Sequence, residues 1–297
     1  MLRYSSDADR PFPTRPENPR GAEPPLVQDI LKITGHRPTP LPKRQWAITQ
    51  RWNDLLFAHW PVPAASIAPL LPSGLVTDTF DGSAWIGVVP FWMDRIRFRG
   101  LPKIPGADRF PELNLRTYVR EEHTNLSGVY FFSLDAANPV AVSIARAFFR
   151  LPYYWASMTI KPQPDGRFLY RSDRHLTRRP VRFRATYRGL GPTRRLAQSA
   201  PGTIEYFLTE RYRLYTADRR GHLLQGEIHH MPWPLEAAEA EFQLNELPAA
   251  HGITLPDTQP LLFYARELVV YVWSVELAKG LKSALGARRP VPAAEPL

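Results

Sequence analysis

From about residue 46 onward, hydrophobic and polar positions alternate in short runs separated by turn residues, a pattern that predicts strands. The clearest run is Phe110-Pro-Glu-Leu-Asn-Leu-Arg-Thr-Tyr-Val119. A pleated strand sends alternate side chains to opposite sides, so Leu113, Leu115, Thr117 and Val119 share one face. The other face carries Glu112, Asn114, Arg116 and Tyr118 in one polar row. Such a row faces water on an ordinary half-buried sheet, or lines a cavity if the sheet closes into a barrel.

The same reasoning extends in both directions. Residues 46–60 read as a strand, and 64–71 have the apolar spacing of a short helix closed by Pro72 and Gly74. Residues 75–80 and 84–91 flank Asp81-Gly82, which predicts a hairpin between them. Residues 128–134 are the expected partner of the 110–119 strand. Asn138 and Pro139 open a helix expected over 138–149. Strands follow at 151–160, at 168–171 after the Asp165-Gly166 turn, and at 181–188. A short helix is expected at 203–208, then strands at 212–215, 222–230, 237–244 and 262–276. About ten mostly antiparallel strands with few helices suggest an all-β or β-rich α+β barrel or sandwich.

Composition bounds the rest. Thirty-two prolines are concentrated partly in residues 1–43, where they preclude ladder or long helix, so this segment is expected to be a mobile arm. Within it, 26–33 has the pattern of a short amphipathic helix that could dock on the body. Residues 44–283 form one domain without an internal linker, and 284–297 a loose tail. The absence of cysteine removes disulfides, thiolate zinc sites and a cysteine nucleophile. No apolar run of membrane-spanning length and no signal-peptide core is present, so a cytoplasmic protein without a membrane partner is expected.

The net charge of +10 invites a nucleic-acid reading, but only six of the 38 basic residues are lysines and the arginines are dispersed. With no basic helix, finger or phosphate loop beside them, nucleic acid is not an expected partner. His229 and His230 are adjacent and would point to opposite faces of a strand, so they do not form a metal pair, and no metal or other cofactor is expected.

The motifs Arg51-Trp-Asn-Asp-Leu-Leu-Phe-Ala-His-Trp60, Pro111-Glu-Leu-Asn-Leu-Arg-Thr-Tyr-Val119, Gly128-Val-Tyr-Phe-Phe-Ser-Leu-Asp135 and Arg150-Leu-Pro-Tyr-Tyr-Trp155 together resemble the YqjF-like family of bacterial proteins, a domain of unknown function. More remotely the chain is similar to the acetoacetate decarboxylase-like superfamily. That resemblance implies a single antiparallel β-barrel with a few short flanking helices, around a small polar cavity. In the decarboxylases a lysine forms a Schiff base with the keto acid. The matching positions here are Tyr153 and Tyr154, which departs from that pattern, with Glu112 or Asn114 at the place of the strand glutamate. None of the six lysines has the apolar surroundings that would lower its pKa, so imine catalysis is not expected.

The expected function is binding of a small carboxylate- or carbonyl-bearing molecule. Its alternative is imine-free acid/base chemistry in the same cavity: enolisation, dehydration or decarboxylation. Arg116 would clamp a carboxylate and Asn114 orient a carbonyl, with Tyr118 and His59 as further ligand contacts. Glu112 and whichever of Tyr153 and Tyr154 faces inward would move protons. By analogy with such barrels, subunits could pair through Trp- and Tyr-bearing strands into a homo-oligomer.

Overall fold

The computed structural model describes residues 30–102, 108–139, 142–143, 149–191, 200–218, 220–278 and 280. Thirteen strands form one sheet: β1 (Ile48–Val62), β2 (Leu75–Thr77), β3 (Ala84–Phe98), β4 (Phe110–Glu121), β5 (Ser127–Ala136), β6 (Tyr153–Pro162), β7 (Phe168–Arg174), β8 (Arg182–Gly189), β9 (Arg213–Ala217), β10 (Leu223–His229), β11 (Glu236–Asn245), β12 (Leu261–Val272) and β13 (Glu276–Leu277). The short helices α1 (Ala64–Ile67), α2 (Ile204–Thr209) and α3 (Leu247–Ala250) accompany them among the described residues. Among the described residues no helix is long and apolar enough to cross a membrane.

The order β5-β6-β7-β8-β11-β12-β1-β3-β4 returns to β5, because β4 pairs with β5, so nine strands close a barrel. Pairing is antiparallel except that β5 runs parallel to both β6 and β9. Strands β9 and β10 bridge from β5 to β12 and close a second ring against β12, β1, β3, β4 and β5. Those five strands are therefore a wall shared by two cores. On one side Leu56, Ile86, Leu113 and Leu115 pack against Met158, Tyr170, Phe183 and Tyr187 of the nine-strand barrel. On the other, Phe57, Phe91, Phe110 and Tyr118 pack towards Leu208, Leu214 and Trp233.

The shared wall explains why β4 is buried along nearly its whole length instead of being half-buried. Its alternation is as read from the sequence, but both faces meet protein. A kink in β1 lets that strand serve both cores. Asp54 has φ 48°, and the β1–β3 register shifts between Asn53 and Ala58. The reversal is fastened by Trp92 Nε1 and Tyr264 Oη, which donate to the Asp54 carboxylate at 2.8 and 2.5 Å, and by Tyr187 Oη, which donates to its carbonyl at 2.8 Å. A non-glycine residue at positive φ costs about 1 kcal/mol or more, and these three bonds hold it there.

The expected 75–80/84–91 hairpin takes another form. Asp81-Gly82 does make a tight turn, with φ 49° and 76° and an isolated Phe80–Ser83 bridge. Both edges of β3 are taken by β1 and β4, so β2 pairs with β4 instead, Thr77 opposite Val119, in the lane β3 leaves free beyond Ile86. Of the helix expected over 138–149, residues 140–141 and 144–148 lie outside the described residues, as do 1–29 and 284–297.

Residues 30–43, counted with the mobile arm above, are packed on the body. Ile30 joins Tyr271 and Trp273 in a small apolar cluster. Arg37 is buried, donating to the Ile228 carbonyl at 2.6 Å and to Glu227 at 3.2 Å.

Candidate functional site

Between the shared wall and the β9–β10 bridge lies a cavity of about 140 Å³. The polar row of β4 reaches it: Glu112 and Arg116 line it together with Phe110. Leu151 and Tyr153 enter from the start of β6, Ile96 and Phe98 from the end of β3, and Gln50 and Trp52 from β1. Thr209, Arg211 and Arg213 come from the segment joining α2 to β9, and His230 and Trp233 follow β10. The lining is predominantly apolar and aromatic, whereas the resemblance had led to a polar cavity.

Arg116 is 9% exposed, and no carboxylate of the described residues lies within ion-pair distance of it. Its Nη2 donates to Tyr118 Oη and to the Leu208 carbonyl, each at 3.3 Å. Its buried Nε has no partner among the described residues. The guanidinium lies over the Phe57 and Tyr118 rings, 5.2 and 5.7 Å from their centroids. The other lining arginines are engaged: Arg211 donates to Asp78 at 2.8 Å and Arg213 to Glu227 at 3.2 Å.

Glu112 is 4% exposed and accepts a hydrogen bond from Tyr153 Oη at 2.8 Å. Burial raises its pKa to about 7, overcoming the opposing effects of Tyr153 and Asn114. The Tyr153 phenol is itself pushed well above its ordinary range by burial and by Glu112, so it stays protonated and acts as a donor. Burial lowers the His230 pKa to about 3, so its ring is neutral. Its Nδ1–H donates to the Met231 carbonyl at 2.8 Å, which leaves Nε2 a buried lone pair without a partner among the described residues.

The expected site residues are distributed as follows. Glu112, Arg116 and Tyr153 meet at the cavity. Asn114 sits between the first two on β4, buried, its Oδ1 unpartnered among the described residues. Tyr118 and His59 lie behind Arg116, outside the lining. Tyr118 Oη donates to the Leu208 carbonyl at 2.7 Å and accepts from His59 Nε2–H at 2.6 Å. Burial, then the nearby Arg116 charge, holds His59 well below its ordinary pKa and therefore neutral. Tyr154 is elsewhere, its ring 4.3 Å from the Arg174 guanidinium. Alternation on β6 thus sends Tyr153, and not Tyr154, to the cavity.

Thr209, Arg211, Arg213, His230 and Trp233 were not anticipated. The first three repeat the period-two signal that marked β4, and Arg211-Tyr-Arg213 could have been read in the same way. Trp233 belongs to no periodic run, and only the fold brings it opposite Trp52, with ring centroids 5.8 Å apart. The described lysines Lys32, Lys43 and Lys161 do not line the cavity, and Lys103, Lys279 and Lys282 lie outside the described residues. No cluster of three metal-ligating side chains occurs among the described residues.

The closed nine-strand barrel with few short helices is the fold of acetoacetate decarboxylase-like proteins. An acetoacetate decarboxylase-like enzyme from Sphingomonas wittichii RW1 superposes with a TM-score of 0.50 at 14% identity, covering 81% of this chain and 97% of that one. The enduracididine biosynthesis enzyme MppR, in its complex with pyruvate, gives a TM-score of 0.52 at 12% identity over 79% of this chain and 91% of MppR. At such identities the likeness is one of fold. The chain itself belongs to the family DUF2071, described as "Uncharacterized conserved protein", whose pattern matches residues 49–269. It is 46% identical over 238 residues to the uncharacterized protein YqjF of Bacillus subtilis (strain 168), spanning 78% of this chain and 93% of YqjF.

Proposed function

We propose that this protein binds a small carboxylate-bearing molecule in the wall cavity, with Arg116 as the clamp. One observation carries the reading: Arg116 is a buried guanidinium at a cavity with no acidic partner among the described residues. A buried charge without a counterion is costly, and native proteins keep one where a ligand or partner supplies the opposite charge. The mainly apolar walls strengthen that attraction by excluding water. Tyr118, backed by His59 and the Leu208 carbonyl, fixes the orientation of the guanidinium. Pyruvate, the ligand in the MppR complex, is of the chemical class meant.

A second reading, acid/base catalysis, is favoured by Glu112. A carboxyl group with a pKa of about 7 can both take and return a proton near neutrality. Beside a carboxylate held by Arg116, it would take the proton next to a carbonyl, leaving an enolate and a protonated Glu112 that can return the proton to carbon, with Tyr153 holding the Glu112 carboxyl group in place. No lysine is needed for that step.

The test is the melting midpoint with a panel of keto, hydroxy and dicarboxylic acids, for wild type and Arg116→Met. A ligand of the native state raises the midpoint by mass action. One acid class should shift wild type and not the variant, and a panel that shifts neither removes the clamp. Exchange of the α-hydrogens of a bound keto acid with deuterium, followed by NMR, separates the two readings. Exchange that vanishes in Glu112→Gln supports catalysis, and binding without exchange supports a carrier.

A further inference from the structure

The cavity constrains its ligand beyond the carboxylate. Its volume of about 140 Å³ is far more than a carboxylate and one carbon would fill. An apolar protein cavity of roughly 150 Å³ takes up benzene. Much of the wall is aromatic: Trp52, Phe110, Phe131, Phe149 and Trp233 all contribute to it. Trp52 and Trp233 are stacked, with an interplanar angle of 24°, and Trp233 meets Phe57 edge-on with centroids 4.8 Å apart. Aromatic rings prefer offset-stacked and edge-to-face neighbours, and a lining of this kind offers both faces and edges to a further ring.

Charge narrows the class again. Arg116 is the lining cation with no acidic partner among the described residues, since Arg211 and Arg213 are engaged by Asp78 and Glu227. A second carboxylate would enter apolar surroundings and would be repelled by Glu112 whenever that group is ionised.

We infer that the ligand is a monocarboxylic acid carrying a single aromatic ring, its carboxylate on Arg116 and its ring among Trp52, Trp233 and the phenylalanines. The inference rests on the carboxylate reading above and specifies the body of that ligand. An uncharged ring displaces water from the apolar wall, and the carboxylate supplies the counter-charge that Arg116 does not find among the described residues.

Calorimetric titration of the full chain with phenylacetate, acetate and succinate tests it, alongside Arg116→Met with its cooperative melt verified. Phenylacetate should bind at least about tenfold more tightly than acetate or succinate, and lose about tenfold or more in the variant. Acetate binding as tightly as phenylacetate, with both dependent on Arg116, would overturn the ring while leaving the carboxylate clamp standing. Succinate binding tightest would overturn the monocarboxylate assignment. If none of the three binds at about 10 mM, or phenylacetate binds both proteins alike, the clamp itself fails and the inference with it.

Discussion

Replacing Glu112 by glutamine should stabilise the protein, and should do so only where the native carboxyl is forced to ionise. The folded-state pKa of Glu112 is about 7 against an ordinary 4.5, and the cause is burial. A carboxyl whose pKa is raised by folding favours the native state only while protonated. Its contribution is intact below about pH 4.5 and is lost as the pH rises through 7. At about 1.4 kcal/mol per pKa unit, this shift of some 2.5 units amounts to roughly 3 kcal/mol by pH 8, and under about 1 kcal/mol near pH 4.5. Glutamine has nearly the same shape, keeps a carbonyl that accepts from Tyr153 and never ionises. The variant should therefore exceed wild type by about 3 kcal/mol at pH 8, or roughly 5–10 °C in melting temperature, with the gap mostly closed at pH 4.5. Thermal melts of both proteins at the two pH values measure it. A gap of equal size at both would mean that folding does not raise the Glu112 pKa and that its burial carries no proton linkage.

Tyr153→Phe removes the hydrogen bond that holds the Glu112 pKa down, so the pH at which wild-type stability falls should move upward from about 7, read from melts over a pH series. Arg116→Met discards a buried charge that has no acidic partner among the described residues and keeps most of the volume. The ligand-free protein should hold its stability or gain about 1–3 kcal/mol in urea melts, and a loss of that size would make Arg116 a structural residue. Gly87→Ala places a Cβ 3.1 Å from the His59 ring and 3.2 Å from Arg116 Cγ, tighter than most packed contacts, and both neighbours are buried with little room to yield. It should cost about 1–2 kcal/mol and weaken acid binding more than Ala substitutions elsewhere on β3, as judged by titration.

Much of the fold was legible because strand chemistry is local. The Asp81-Gly82 and Asp165-Gly166 turns, the Thr203 cap of α2 and the alternation of β4 are each written in a few adjacent residues. Pairing is not local. The β2–β4 ladder and the burial of both faces of β4 follow from which strand edges remain free once β1, β3 and β4 have assembled. The candidate site divides along the same line. Glu112 and Arg116 stood out as polar residues in a regular apolar run, and Tyr153 as one of an adjacent pair whose orientation only the strand could decide. Trp233 and His230 carry no pattern of their own, and they reach the cavity because β9 and β10 close a second ring over the wall. The apolar character of the cavity was missed for a related reason. Its aromatic side chains come from the ends of several strands, where each looks like ordinary core.

Arg116 has no anionic partner among the described residues, and the proposed ligand supplies one. A crystal structure of the full chain soaked with phenylacetate tests it most directly. The carboxylate should lie within about 2.7–3.2 Å of the Arg116 guanidinium inside the wall cavity. A cavity holding only water beside Arg116, with the acid bound elsewhere or absent, would contradict it.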